Sequence, residues 1–92
     1  MSHKVRYGGR EIGEGDEVEI YFHWDPGKGT YIARSDEGVV IFPERGSRMV
    51  PEMMLQKWKI VSAKARVIKV FESRPGRLTV IVRPLEWEGV YK

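Results

Sequence analysis

Positive charges lie at two places in this sequence, one of which also has aromatic rings, and this combination suits the binding of single-stranded nucleic acid. The first place contains His23, Trp24 and Lys28, and the second contains Arg74 and Arg77. Cations bind the phosphates of such a ligand, and flat rings stack on its bases. We therefore predict a nucleic-acid site at these residues, with Trp24 either stacking on a base or plugging the end of the protein core.

The segment that follows the first place adds further candidates. Tyr31 and Phe42 could stack on bases beside Arg34, although aromatic residues on strands more often pack in a core. Tyr31 shares a strand face with Ala33, and Ile32 shares the opposite face with Arg34. Alternation alone therefore leaves open which of the two faces meets a ligand.

Other kinds of site find little support in the residues. The chain has no cysteine, and its two histidines, His3 and His23, lack the spacing of metal ligands. The Gly27-Lys28-Gly29 sequence lacks the spacing and the following serine or threonine of a phosphate-binding Walker loop. We predict no catalytic residue, no metal and no cofactor, and we do not expect an enzyme.

Apolar residues that alternate with polar ones predict five strands, which must position these candidates. The strands are predicted at residues 17–22, 30–35, 39–42, 63–72 and 77–84. A one-residue slip of the apolar pattern after Val67 predicts a β-bulge in the fourth strand. An additional hairpin is expected about Gly8-Gly9, and the tail after residue 84 either packs through Trp87 and Tyr91 or stays loose.

The region between the third and fourth strands lacks alternation, and residues 51–57 predict a short helix there. Five strands with this one helix indicate an all-β protein, a small barrel resembling the OB-fold. An SH3-like barrel is the alternative. Residues 23–29 are expected to form the loop between the first two strands.

Length and composition set outer limits on these expectations. A chain of 92 residues with 41% hydrophobic content can form one small domain, residues 1–92, with a core at roughly residues 15–83. The lack of cysteine fits a reducing compartment, and no apolar run is long enough to span a bilayer. We expect a cytoplasmic protein without a membrane partner, and its 32% charged content would suit a thermophile.

Several segments together resemble a known family. They are "GDEVEIYF", a glycine-lysine-glycine loop, "YIARSDEGVVIFPE", "ARVIKV" and "LTVIV". In this order they are similar to the TRAM domain, a small OB-type RNA-binding module found attached to RNA-modifying enzymes and as free-standing archaeal proteins. The matching positions are Gly15–Val18, Gly27–Gly29, Ile32–Arg34, Gly38–Phe42 and Arg66–Val70. The resemblance implies an OB-type barrel whose partner is RNA or single-stranded nucleic acid.

The chain departs from that family between its third and fourth strands. The family has a short proline-glycine loop there, whereas this chain has about twenty residues, 43–62. Such an insertion favours a second hypothesis, a protein-interaction barrel or complex subunit. Met53 and Leu55 would then contact a protein partner or a second copy of the chain.

Charge is divided along the sequence. From Glu11 to Glu44 nine acidic residues accompany two basic ones, whereas from Lys57 to Arg83 eight basic residues accompany one acidic residue. An OB topology pairs the fourth strand with the first, where Glu17 is expected on the outer face. We therefore predict that much of the basic half is neutralised within the protein, which leaves the second strand and the two loops for a ligand.

Overall fold

All regular structure in the residues that the computed structural model describes, 3–47 and 60–91, is β-strand. The strands are β1 (Val5–Tyr7), β2 (Arg10–Ile12), β3 (Glu17–Asp25), β4 (Thr30–Arg34), β5 (Val40–Pro43), β6 (Ile60–Arg74) and β7 (Arg77–Tyr91). Within these residues there is no helix with the length and apolar character needed to cross a membrane.

Five of the strands form a closed barrel. Their order around it is β3-β4-β5-β7-β6, and β6 closes the ring against β3. Neighbouring strands are antiparallel except β5 and β7, which run parallel. This order follows from the long β6–β7 hairpin, whose first strand pairs with β3 while its second strand pairs with β5. The predicted all-β barrel is thereby confirmed.

The inward side chains fill the barrel with aliphatic and aromatic groups. Small Ala63 on β6 lies opposite the larger Ile20 on β3, and Phe22 lies opposite Val61, so small and large buried side chains are neighbours across this strand pair. The remaining barrel residues of this core are Tyr31, Ala33, Ile41, Ala65, Val67, Val70, Val80 and Val82. Complete removal of these side chains from water supplies the main stabilisation of a chain without disulfides.

A small N-terminal hairpin, β1 with β2, extends the core beyond the expected limits of residues 15–83. Its Val5 and Ile12 are buried in the same cluster as the barrel residues. The predicted turn at Gly8 and Gly9 is confirmed, and both residues have positive φ, 60° and 82°. Two successive positive φ angles are what a tight two-residue hairpin requires, and glycine adopts them without strain.

Three strand boundaries differ from those predicted. β3 continues through Asp25, so the expected loop at residues 23–29 shortens to a turn at 26–29. β6 begins at Ile60, and β7 continues to Tyr91, so the tail pairs along β6 and is not loose. The strands extend past the boundaries predicted from the sequence because every added residue satisfies backbone hydrogen bonds with a neighbouring strand. The predicted helix at 51–57, and with it Met53 and Leu55, lies outside the described residues.

The bulge predicted in the fourth strand is confirmed. The β6–β7 register shifts between Val67 and Lys69, and three further shifts occur along the same pair of strands. Each extra residue bends the hairpin and increases its twist. Bending of this kind allows two fifteen-residue strands to follow the curvature of a small barrel.

Pairing of β3 with β6 brings the acidic and basic halves of the chain together. Glu17 lies opposite Arg66, and Glu19 lies opposite Lys64. The Arg66 guanidinium donates to the Glu17 carboxylate at 2.8 Å. The predicted neutralisation of this basic row is thus observed for Arg66.

Packing of the tail against the core gives the first testable prediction. Trp87 is half-buried, with its ring centroid 5.6 Å from that of Phe22. We expect Trp87→Ala to lower the free energy of unfolding by about 3 kcal/mol, the low end of the range for a large aromatic residue in a core. Leu85→Ala, on the same strand but 43% exposed, should change it by less than about 0.5 kcal/mol. Urea denaturation compares the two variants, and equal losses would contradict this role of Trp87.

Acid sensitivity gives the second prediction. The hydrogen bond from Arg66, with its positive charge, lowers the pKa of Glu17 below the ordinary 4.5. A folded-state pKa below the unfolded-state value means that the stabilisation is present above about pH 4.5 and is lost as the pH falls through the folded-state pKa. Arg66→Gln should return the pKa of Glu17 toward 4.5 and lessen stability at neutral pH more than at pH 3.

Carboxyl NMR titration and denaturation at several pH values provide the measurements. Arg74→Gln is the control, because it removes an arginine of the same strand that does not contact Glu17. A pKa of Glu17 that stays low in Arg66→Gln would show that another group lowers it.

Candidate nucleic-acid interface

An open groove of about 630 Å³ runs along one side of the barrel, and four cationic side chains line it. It lies between the β3–β4 turn, the outer surface of β4 and β5, and the β6–β7 turn. The cations are Lys28, Arg34, Arg74 and Arg77. Four of the seven residues predicted for the site therefore come together, although almost fifty positions separate the first from the last in the sequence.

The β3–β4 turn holds Lys28 at the rim of the groove. The Asp25 carboxylate accepts hydrogen bonds from the backbone N–H groups of Gly27 at 2.9 Å and Lys28 at 3.2 Å. The Asp25 carbonyl also accepts from Gly29, whose φ is positive at 67°. An aspartate that bonds the backbone two residues ahead is a common means of ordering a turn. The lysine is thus carried by an ordered turn.

The β6–β7 turn places two arginines side by side. Arg74 and Arg77 are cross-strand neighbours on either side of Pro75 and Gly76. The Ser73 hydroxyl donates to the Arg77 carbonyl at 3.3 Å and accepts from the Thr79 hydroxyl at 2.9 Å. Like charges directly opposite each other destabilise a strand pair. A bound anion would remove that repulsion.

A second arginine pair in the same hairpin has a different environment. Arg66 and Arg83 are also cross-strand neighbours, but each has a carboxylate partner. Arg66 pairs with Glu17 at 2.8 Å, and Arg83 donates two hydrogen bonds to Glu44, at 2.7 and 3.1 Å. The guanidinium of Arg83 lowers the pKa of Glu44, as expected for a carboxylate that stays ionised.

Within the described residues, the groove cations lack such partners. In the part of the chain that the structure describes, no carboxylate lies within ion-pair distance of Lys28, Arg34, Arg74 or Arg77. The positive charge of these four residues is therefore available to a ligand in the groove. This place agrees with the prediction that the second strand and the two loops would escape neutralisation.

An apolar surface from β5 and β7 separates these cations. Val40 lies opposite Thr79 and Phe42 lies opposite Ile81 in the parallel register. Val40, Phe42 and Thr79 line the groove, and Phe42 with Ile81 also lines a neighbouring depression that includes Arg45. The half-buried Phe42 thus joins two concave surfaces. Among the described residues, Phe42 is the aromatic residue that lines the groove with the cations.

The three remaining predicted site residues do not line the groove. Trp24 is half-buried with its ring edge-on to that of Tyr31, at a centroid distance of 5.4 Å and an angle of 74°. Tyr31 is only 2% exposed, and its burial raises the pKa of its hydroxyl. Both rings pack on the core, in agreement with the alternative in which Trp24 plugs the barrel end. His23 is exposed on β3, opposite Ile32.

Several groove residues were not singled out in the sequence as site residues. Glu37 and Gly38 come from the β4–β5 turn, and Ser73, Leu78 and Thr79 come from the β6–β7 hairpin. The sequence contains a signal for the hairpin residues, because they flank the predicted Arg74 and Arg77. Glu37 carries no such signal, since both the partner of its carboxylate, Arg6, and the groove arginines of the β6–β7 hairpin are distant in sequence.

A metal site is not found in the described ranges, where no group of three or more histidine, cysteine or carboxylate side chains is arranged to hold an ion. The groove instead offers hydrogen-bond donors, positive charge and an apolar surface with one aromatic ring. These groups suit a flexible anionic ligand that also has flat apolar faces.

Comparison of the chain with protein-family models, with curated proteins and with solved structures found no match.

Proposed function

We propose that this protein is a non-catalytic module that binds RNA through the groove. The observation that supports the proposal best is the contrast between the two arginine pairs of one hairpin. Arg66 and Arg83 are held by carboxylates, whereas Arg74 and Arg77 face the groove without any within the described residues. Such an arrangement suits phosphates as the missing anions.

The charge of the groove favours a ligand with several phosphates. Its four cations accompany one carboxylate, that of Glu37. The cations come from the β3–β4 turn, β4 and the β6–β7 hairpin, and they line an open groove of about 630 Å³. A polymer with regularly spaced phosphates can contact them in succession, whereas one small anion can contact only some of them.

Phe42 is proposed as the stacking ring, in place of Trp24 and Tyr31. It lines the groove beside the cations, and it lies outside the buried core cluster that contains Tyr31. Stacking requires a base whose face is accessible, which favours a single-stranded segment. The assignment keeps base stacking as the proposed role of an aromatic residue and selects Phe42 from the three candidates that the sequence offered.

The barrel is proposed to be of the OB type. Its parallel β5–β7 pair requires the chain to cross from β5 to the far side of the sheet before it returns, and this crossing supports a Greek-key arrangement over a simple sequence of adjacent strands. OB-folds bind oligonucleotides beside the loops that correspond here to the β3–β4 and β6–β7 turns. The resemblance to the TRAM domain favours RNA as the ligand, and single-stranded DNA is the alternative.

The third prediction concerns Arg74 and Arg77. We expect Arg74→Gln combined with Arg77→Gln to weaken binding of a fluorescent U12 RNA at low salt by about tenfold or more. The slope of log K against log salt should become shallower by about 1.4, since each lost phosphate contact contributes about 0.7 for a single strand. Fluorescence anisotropy between 50 and 300 mM salt measures both quantities.

The matched control changes the other arginine pair of the same hairpin. Arg66→Gln combined with Arg83→Gln removes the same charge from the protein but leaves the groove unchanged. Its affinity should fall by less than about threefold, because only the long-range field is altered. Equal losses in the two double variants would show that binding depends on net charge alone. Absence of U12 binding by the unmodified protein at 50 mM salt would exclude the proposed function.

The fourth prediction concerns stacking. Phe42→Leu should weaken U12 binding by about 1–3 kcal/mol, the contribution of one base on an aromatic ring. Phe42→Tyr keeps a ring at the position and should retain most of the affinity. A dT12 DNA is measured alongside, and tighter binding of this DNA would contradict the preference for RNA. If Phe42→Leu binds as well as Phe42→Tyr, the ring does not stack on a base.

A further inference from the structure

One carboxylate lies among the groove cations. Glu37 lines the same groove as Arg34, Arg74 and Arg77, on the turn between β4 and β5. In the described part of the chain no lysine or arginine side-chain nitrogen lies within ion-pair distance of it. The carboxylate is therefore not there to neutralise a neighbouring cation. It sits in a surface that otherwise attracts anions.

Glu37 is held in position by the N-terminal hairpin. Its Oε1 accepts a hydrogen bond from the backbone N–H of Arg6 at 2.9 Å, and its own N–H donates to the Ser35 hydroxyl at 3.2 Å. Beside it, the two oxygens of Asp36 accept from the N–H groups of Gly8 at 3.0 Å and Gly9 at 2.8 Å. These contacts order the turn and keep the Glu37 carboxylate at the edge of the groove.

A fixed negative charge excludes phosphates from its immediate surroundings and selects hydrogen-bond donors. The uncharged parts of a nucleic acid that donate hydrogen bonds are chiefly the amino groups of the bases and the hydroxyl groups of the sugar. A carboxylate accepts well from the amino group of cytosine. The same carboxylate repels the carbonyl oxygen that uracil has at this position.

We propose that Glu37 is a specificity-determining residue, which accepts a hydrogen bond from the amino group of an unpaired base that lies against Phe42. The inference rests on the proposed function and adds to it a preference among bases. Cytosine and uracil have rings of the same size, so stacking on Phe42 and the phosphate contacts should be alike for both. A difference in affinity between a cytosine RNA and a uracil RNA therefore reports the contact of the base with Glu37.

The fifth prediction concerns discrimination between cytosine and uracil. The unmodified protein should bind C12 about fivefold to tenfold more tightly than U12, as one hydrogen bond to a charged acceptor allows. Both RNAs are measured by fluorescence anisotropy at pH 7.5 and one salt concentration. In Glu37→Gln the ratio should approach one, because the neutral amide can donate to uracil as well as accept from cytosine.

A purely structural role of Glu37 predicts a different result. If the residue serves only to hold Arg6 and the N-terminal hairpin, its loss lowers stability and affects both RNAs equally. Asp36→Ala is the control, because it removes two hydrogen bonds to the same hairpin but its side chain does not line the groove. This variant should be less stable and should keep the preference for C12. A thermal denaturation curve for each variant accompanies the binding data.

The possible results separate this inference from the proposed function. Equal binding of C12 and U12 by the unmodified protein, or an unchanged ratio in Glu37→Gln, would overturn the role of Glu37 while leaving RNA binding in place. Binding of neither RNA would overturn the proposed function itself. A preference that disappears in Glu37→Gln and persists in Asp36→Ala would support the inference.

Discussion

The long β6–β7 hairpin is the element on which the rest of the structure depends. Its first strand closes the barrel against β3, and its second strand joins β5 in parallel. Burial of Ala63, Ala65, Val80 and Val82 from the hairpin supplies much of the core, so closure and hydrophobic burial occur together. A closed ring also leaves fewer unpaired strand edges than an open sheet of the same length. The positions of charges on this hairpin decide the surface properties of the protein.

The arginines of the β6–β7 hairpin differ in their surroundings. At its middle, β3 and the end of β5 supply Glu17 and Glu44, which form ion pairs with Arg66 and Arg83. At its turn no described carboxylate lies within ion-pair distance of Arg74 or Arg77. Exposed ion pairs add little to stability, but they neutralise the charge that would otherwise attract an anion. Within the described residues, Arg74 and Arg77 thus remain without an ion-pair partner and line the groove with Lys28 and Arg34.

The N-terminal hairpin holds one of the turns that line the groove. Its backbone N–H groups hold Asp36 and Glu37, while its Val5 and Ile12 enter the core. Burial of the N-terminal hairpin in the core and its hydrogen bonds to Asp36 and Glu37 thus hold the β4–β5 turn in place. The groove consequently has an ordered rim on which positive and negative groups keep defined places. In the proposal for Glu37, this order gives selectivity to a surface that charge alone would make indiscriminate.

Local patterns in the sequence were enough to predict the five barrel strands, the N-terminal turn, the bulge in β6 and the four cations of the groove. Alternation, glycine pairs and charge are local properties. The sequence did not determine which aromatic residue meets a ligand. The apolar segment from Val39 to Phe42 has no alternation, so its inward and outward sides become distinct only when it pairs with β4 and β7. Tertiary pairing also decided that Trp24 and Tyr31 face the core, that the tail continues β7, and that Glu37 joins cations almost forty residues away. Such contacts depend on strand order and register, which arise from the simultaneous burial of all five strands.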